Sequence, residues 1–220
     1  MKTFAILTEA DARLLAGGDT VRLARGGRIT PLARDTLNER GVTVVFEESL
    51  SPDEAALVPA DPVRRIAIAS DHAGAGLRRT LAAFLRAQGL AAEDFGHDGP
   101  APVDYPDVAA AVGRAVARSD ADAGIVIDGA GIGSAIAANK IRGVRAVMAT
   151  SETIARYSRE HNGANVLTLG ASLLTGEQAQ AIVSAWLAAS IREPRYIRRL
   201  AKIRDLEWSE SALGRKGCDW

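Results

Sequence analysis

The chain has 220 residues with 27 basic and 27 acidic side chains, so no net field draws it to nucleic acid or to an anionic membrane. One cysteine, Cys218, cannot close an intrachain disulfide, and no CxxC or Cys/His cluster offers a metal site. The start, MKTFAILTEADAR, turns polar too early for a secretory signal, and no apolar run approaches the roughly 20 residues of a membrane span, which points to a cytoplasmic protein.

Residues 1–46 read as a small α/β unit. TEADARLLAG is a short helix with Thr8 as N-cap and Gly17 as its stop. TVRLAR alternates as a strand does, and Gly26-Gly27 reads as a turn. ITPLARDTLNERG is a helix with Thr30 as N-cap, Pro31 at the first helical position and Gly41 at the end, and VTVVF is a second strand. A unit this small is expected to hold little core of its own. Residues 47–64 carry three prolines, several acids and no period, and read as a linker.

Residues 65–204 alternate strands with helices. RIAIA is a strand, followed by SDHAG and the helix LRRTLAAFLRAQG; LAAEDFG is a weaker strand, HDGPAPVDYPD a loop and VAAAVGRAVARSDA an amphipathic helix. GIVI is a buried strand that runs into DGAGIG and a further helix, and VRAVMA is a strand. SETIARYSREHNG is a helix, NVLTLG a strand, TGEQAQAIVSAWLAAS a helix capped by Thr175, and PRYIRRLAKIRDLEWS a basic helix. Residues 205–220 are assigned to a tail. The alternation predicts a doubly wound, Rossmann-like parallel sheet of about five strands with helices on both faces, plus the small amino-terminal α/β appendage. Ligands of such sheets bind at the carboxyl ends of the strands.

The residues with chemistry cluster in a few places. Asp128 ends the GIVI strand, and Gly129, Gly131 and Gly133 follow at every second position with Ala130 and Ile132 between them. A backbone so bare turns tightly and presents successive N–H groups to an anion, with one carboxylate on the rim. His72 stands beside Asp71 at a strand end, and His161 stands at a helix end, where a protonated imidazole is favoured. His97 reads as a solvated loop residue. Arg195 and Arg199, four apart, share a helical face and suit a phosphate.

IAIASDHAG, VDYPD, GIVIDGAGIGSAIAANKIRGVRA, SREHNGANVLTLGA and PRYIRR follow one another as in the ribose-5-phosphate isomerase B and galactose-6-phosphate isomerase family, which residues 64–204 resemble. The resemblance implies aldose–ketose isomerisation of a phosphorylated sugar through an enediolate, without metal or cofactor. It implies a homodimer or tetramer with active sites shared between subunits. It implies that the amides of residues 129–133 form an oxyanion hole. It also implies that His161 assists ring opening, with Asp71 or Asn162 helping to place hydroxyls. His72, Arg195 and Arg199 would hold the phosphate, with Tyr105 near the sugar.

The chain departs from the family in its loop. Many members carry a cysteine at the position of Asp128, another branch carries a glutamate at the position of Ser134, and Ala130 replaces a hydroxyl residue. Asp128 is then the expected base, although a carboxylate titrates near 3.9 and a thiol near 8.5, so burial has to raise it. The substrate is left open among four-, five- and six-carbon sugar phosphates. A second reading is a non-catalytic sugar-phosphate-binding homologue or the partner subunit of a two-subunit isomerase. Residues 1–46, with TPLAR and RGVTV, resemble loosely the extension on some bacterial microcompartment enzymes, which implies docking to partner proteins there; a packing appendage is the alternative.

Overall fold

The computed structural model describes residues 2–46, 50–96 and 103–213, so His97 and Cys218 lie outside the described residues. The chain divides into two compact units, Met1–Ser51 and Pro52–Trp220.

In the first unit, strands β1 (Thr3–Leu7), β2 (Thr20–Ile29) and β3 (Thr43–Phe46) form a parallel sheet in the order β1-β2-β3. Helices α1 (Glu9–Arg13) and α2 (Pro31–Glu39) make the crossovers. Thr8 and Asp11 form a reciprocal capping box, and the Thr30 hydroxyl accepts from the Ala33 amide, so both helices start where their caps predict. Two sequence expectations are corrected. The apolar start of the chain is itself a strand, β1, TFAIL, which the sequence pattern does not signal. The Gly26-Gly27 turn is absent: β2 runs through it, and its register with β1 slips, Phe4 facing Leu23 and Ile6 facing Arg28. Gly27 fits because a Cβ there would stand 2.6 Å from the Ala24 carbonyl oxygen, which marks a bulge rather than a chain reversal. The added strand also gives the unit a core: Leu7, Ala12, Leu15, Val21, Leu23, Ala33, Leu37 and Val42 are buried together.

The second unit opens with a short helix, α3 (Pro52–Ala55), inside the stretch expected to be linker. A five-stranded parallel sheet follows, in the order β5-β4-β6-β8-β7. Its strands are β4 (Arg65–Ser70), β5 (Ala91–Asp94), β6 (Ala123–Asp128), β7 (Ala146–Met148) and β8 (Val166–Gly170). The helices are α4 (Ala75–Ala87), α5 (Tyr105–Ala117), α6 (Ile132–Ala138), α7 (Glu152–Asn162), α8 (Gly176–Leu187) and α9 (Pro194–Leu213). Every residue of β6, and every residue of β4 after Arg65, is buried, as a strand covered on both faces requires. Ile66, Ile68, Ile125, Ile127, Leu167 and Leu169 point to one face, against residues of α4 and α8. Ala67, Ala69, Val126 and Val166 point to the other, against α5 and Ala138 of α6. The chain leaves β4 toward one sheet edge and β6 toward the other, so the crevice for a ligand opens between their carboxyl ends. No helix among the described residues is long and apolar enough to cross a membrane.

Two arginines, the buried Arg159 and the half-buried Arg145, hold the segment before β4 in place. Arg159 donates to the carbonyls of Ala60 (2.8 Å), Ala164 (3.0 Å) and Ala189 (3.1 Å), and lies over the Trp186 ring at 4.9 Å. Arg145 donates to Leu57 (3.0 Å) and Gly163 (2.8 Å) carbonyls. Burial pushes Arg159 down to about 10, opposed by Asp61, so it is charged at neutral pH. Helix α9 continues past residue 204, where a tail was expected; Glu207 accepts from the Gly143 amide at 3.1 Å and Arg142 lies 4.2 Å from the Trp208 ring.

Replacing Arg159 with Met leaves two buried carbonyls and the part-buried Ala60 carbonyl without their donor, at about 1–3 kcal/mol for each buried group when fully orphaned. With partial relaxation, an overall loss of about 3 kcal/mol is expected, which is about 6–12 °C in a thermal melt of a chain this size.

Candidate active site

Ser70 of β4 stands opposite Ile127 of β6, so Asp71 and Asp128 follow as neighbours on adjacent strands, about 4.8 Å apart in backbone spacing. The Asp71 amide donates to the Ile127 carbonyl at 3.1 Å. The Asp71 carboxylate accepts from the Gly74 amide at 3.0 Å, an Asx turn that opens α4. Gly74 is needed there, since a Cβ would lie 2.6 Å from the Ile127 carbonyl oxygen. His72 is exposed at this turn, and the buried Ser70 hydroxyl has no hydrogen-bond partner among the described residues.

The glycine loop is folded around Asp128. One carboxylate oxygen accepts from the amides of Ala130 (2.8 Å) and Gly131; the other accepts from the Ser134 amide (2.9 Å) and hydroxyl (2.5 Å). Gly131 takes φ 79°, a left-handed conformation, and a Cβ on it would stand 2.9 Å from the Leu169 carbonyl carbon. The Thr168 hydroxyl donates to the Gly131 carbonyl at 2.7 Å, and the Ser172 amide to the Gly129 carbonyl at 2.9 Å. The Tyr105 ring packs directly on Gly133, where a Cβ would come within 2.6 Å of it.

This geometry corrects two expectations. The amides of Ala130 and Gly131 are taken by Asp128, and those left without an acceptor among the described residues are Gly129, Ile132 and Gly133. The raised pKa that a base at Asp128 requires is not found. Burial alone would raise it, but the Ser134 hydroxyl and the Gly131, Ser134 and Ala130 amides outweigh burial and hold the carboxyl below its ordinary value.

The remaining predicted residues stand elsewhere. Helix α7 runs back against the strand direction, and His161 and Asn162 are at its carboxyl end, just ahead of β8, whose Val166 faces Gly124 at the start of β6. Eleven helical residues at 1.5 Å each put about 16 Å between the two ends of the helix. His161 stacks on Tyr157 at 4.8 Å and meets Tyr196 at 4.7 Å. The guanidinium carbons of Arg195 and Arg199 lie 4.8 and 5.4 Å from the same Tyr196 ring, and Arg195 pairs weakly with Glu193 at 3.7 Å. His161, Arg195, Tyr196, Glu160, Arg192 and Glu193 line an open pocket of about 480 Å³. The predicted site residues therefore fall in two clusters at opposite ends of the sheet. Asp71, His72, Tyr105 and residues 128–133 are at the carboxyl end; His161, Asn162, Arg195 and Arg199 are at the amino end. Ser134, Thr168 and Tyr196 were missed in the sequence. Only the hydroxyl six residues after Asp128, on the first turn of a helix, gave a signal.

The chain matches the family described as Ribose/Galactose Isomerase over residues 66–203. It is 39% identical over 145 residues to ribose-5-phosphate isomerase B of Escherichia coli (strain K12), a match that covers 66% of this chain and 97% of that protein. It is 38% identical over 126 residues to D-erythrulose-4-phosphate isomerase of Pectobacterium atrosepticum, covering 56% of this chain and 82% of that one. Its structure is similar to that of Clostridium thermocellum ribose-5-phosphate isomerase B, with a TM-score of 0.65 and 44% identity, over 66% of this chain and 99% of that one.

A carboxylate whose pKa is lowered by folding stabilises the fold above its unfolded value, and the contribution is lost as pH falls through the folded value. The stability gap between wild type and Asp128→Asn is therefore expected to be full at pH 7, about 1–3 kcal/mol, and to close in strong acid. Denaturant melts of both proteins across pH read this directly.

Proposed function

The chain belongs to the ribose/galactose isomerase family, and we propose that it interconverts the aldose and ketose forms of a phosphorylated sugar of four to six carbons. What carries this reading is the pairing of a loop that has three amides without an acceptor among the described residues, Gly129, Ile132 and Gly133, with a second, cationic half-site built on His161, Arg195 and Arg199. The site is complete when a second copy of the chain brings its amino-end half-site against the loop. Exposed apolar side chains beside both half-sites support that contact: Ile132 and Ile136 on α6, Ile154 and Tyr157 on α7.

In the assembled site Arg195 and Arg199 hold the phosphate, helped by His72, and His161 moves a proton at the ring oxygen as the sugar opens. A base then takes the proton from C2. The electron pair shifts onto the C1 carbonyl oxygen, the loop amides stabilise the enediolate oxygen, the O2 hydroxyl proton passes to O1, and the base returns its proton to C1 as the C2 carbonyl forms. Of the two adjacent carboxylates, both Asp128 oxygens are engaged by loop donors. Asp71 accepts one bond, and its second oxygen has none among the described residues. The proposal gives proton transfer to Asp71 and the shaping of the loop to Asp128.

A second reading is favoured by the engaged Asp128: the chain is the non-catalytic partner of a two-subunit isomerase. Turnover by the purified chain alone decides against it. The amino-terminal unit fits either reading as a docking module, and unchanged assembly and localisation after deletion of residues 1–51 would count against docking.

The screen is a set of aldose and ketose phosphates of four to six carbons, with solvent proton exchange at C2. Asp71→Asn is expected to lower kcat by about 10²–10⁴-fold. Asp71→Asn and His161→Asn chains, each inactive, should recover about a quarter of wild-type activity when refolded together in equal amounts, since mixed dimers hold one intact shared site. No recovery would mean that each chain carries its own site.

A further inference from the structure

We propose that Tyr196 is a positioning residue that ties the proton-moving histidine to the anion-binding arginines. Its ring meets His161 at 4.7 Å, and Tyr157 covers the imidazole at 4.8 Å from its own side. The same ring carries the guanidinium carbons of Arg195 and Arg199 at 4.8 and 5.4 Å, both within cation–π range. Its hydroxyl accepts from Arg195 Nη2 at 3.2 Å. The spacing on α9 makes this possible, since Tyr196 follows Arg195 directly and precedes Arg199 by three residues, one helical turn.

The arrangement has a consequence for chemistry. Two guanidinium groups repel each other, and a shared aromatic face is an inexpensive way to gather them before an anion arrives. A ring that also touches the imidazole transmits that arrangement to His161: an ordered pair of arginines fixes Tyr196, and Tyr196 fixes the imidazole plane. The charged groups around His161 are Glu160 on α7, Arg192 and Glu193 on the connection from α8, Arg195 and Arg199 on α9, and Arg156, which lies 5.0 Å from the Tyr157 ring. Tyr196 is the group among them that contacts the imidazole and both arginines of α9.

The effect on turnover rests on the isomerase reading, but the effects on the His161 ring contact and on phosphate binding do not. The test uses the full chain, with inorganic phosphate as the probe and the His161 imidazole proton resonances, assigned with His161→Asn, read by NMR. In Tyr196→Leu those resonances are expected to shift as the ring current of one aromatic face is lost. Phosphate should bind about tenfold more weakly in that variant. Tyr196→Phe keeps the ring and loses only the acceptor for Arg195, so the resonances should stay and phosphate should weaken by a factor of about three. With a sugar-phosphate substrate, Phe should raise KM alone, and Leu should change KM and kcat together. A natively folded Tyr196→Leu with wild-type His161 resonances and phosphate affinity overturns the proposal. If Leu does not fold, a Phe variant with shifted His161 resonances, or with wild-type phosphate affinity, overturns it. A wild-type chain that turns over no sugar phosphate defeats the isomerase reading, and the resonance and phosphate results still decide the role of Tyr196.

Discussion

The carboxylate of Asp128 accepts four hydrogen bonds from the turn that follows it, and the carboxyl end of the sheet takes its form from that one side chain. The bonds to Ala130 and Gly131 curl the chain back onto the end of β6, and the bonds to Ser134 set the first turn of α6. Gly131 is forced into the left-handed region, where glycine avoids the strain of a side chain, and Thr168 fixes its carbonyl from the neighbouring strand. The amides left over, Gly129, Ile132 and Gly133, are those that the fold does not need. An acid that organises a loop by accepting from it is stabilised as the anion, which is the opposite of what a general base at neutral pH requires.

The second constraint is the direction of α7. In a parallel sheet each crossover helix must return to the amino end before the next strand begins, so a residue at the end of such a helix stands a full helix length from the loops that open at the carboxyl ends. His161 and Asn162 obey this, and α9 brings Arg195, Tyr196 and Arg199 to the same end. Arg159 secures the region by bonding three carbonyls from separate segments: the stretch before β4, the turn before β8 and the connection after α8.

The two units differ in how plainly the sequence records them. The second unit repeats short, mostly apolar strands and helices along the whole of its length, so its parallel sheet follows from alternation alone, and its five strands agree with the expected sheet. The first unit misled at two points with one origin. FAIL and the glycine pair of β2 are short signals, and each takes its meaning from the other: Phe4 pairs with Leu23, Ile6 with Arg28, and the residues between bulge out of the ladder. Helix α9 agrees with the basic helix expected over residues 194–209 and extends it to Leu213; Glu207 and Trp208 hold it through contacts to Gly143 and Arg142 that no local pattern announces.

By itself the sequence determined which residue types meet which task. It supplied glycines and a carboxylate at a strand end, two arginines on one helical face, and a histidine at a helix end, in an order that resembles one isomerase family. These are local properties, fixed by spacing along strands and helices. Only the tertiary structure decided where each residue points and what it is occupied with. It turned Asp128 inward onto the loop amides, left an oxygen of Asp71 without a donor among the described residues, placed Tyr196 between His161 and the two arginines, and set the two clusters at opposite ends of the sheet. The reason is physical: spacing along the chain fixes which face of an element a side chain shares, whereas hydrogen-bond partners and helix direction depend on segments far apart in sequence.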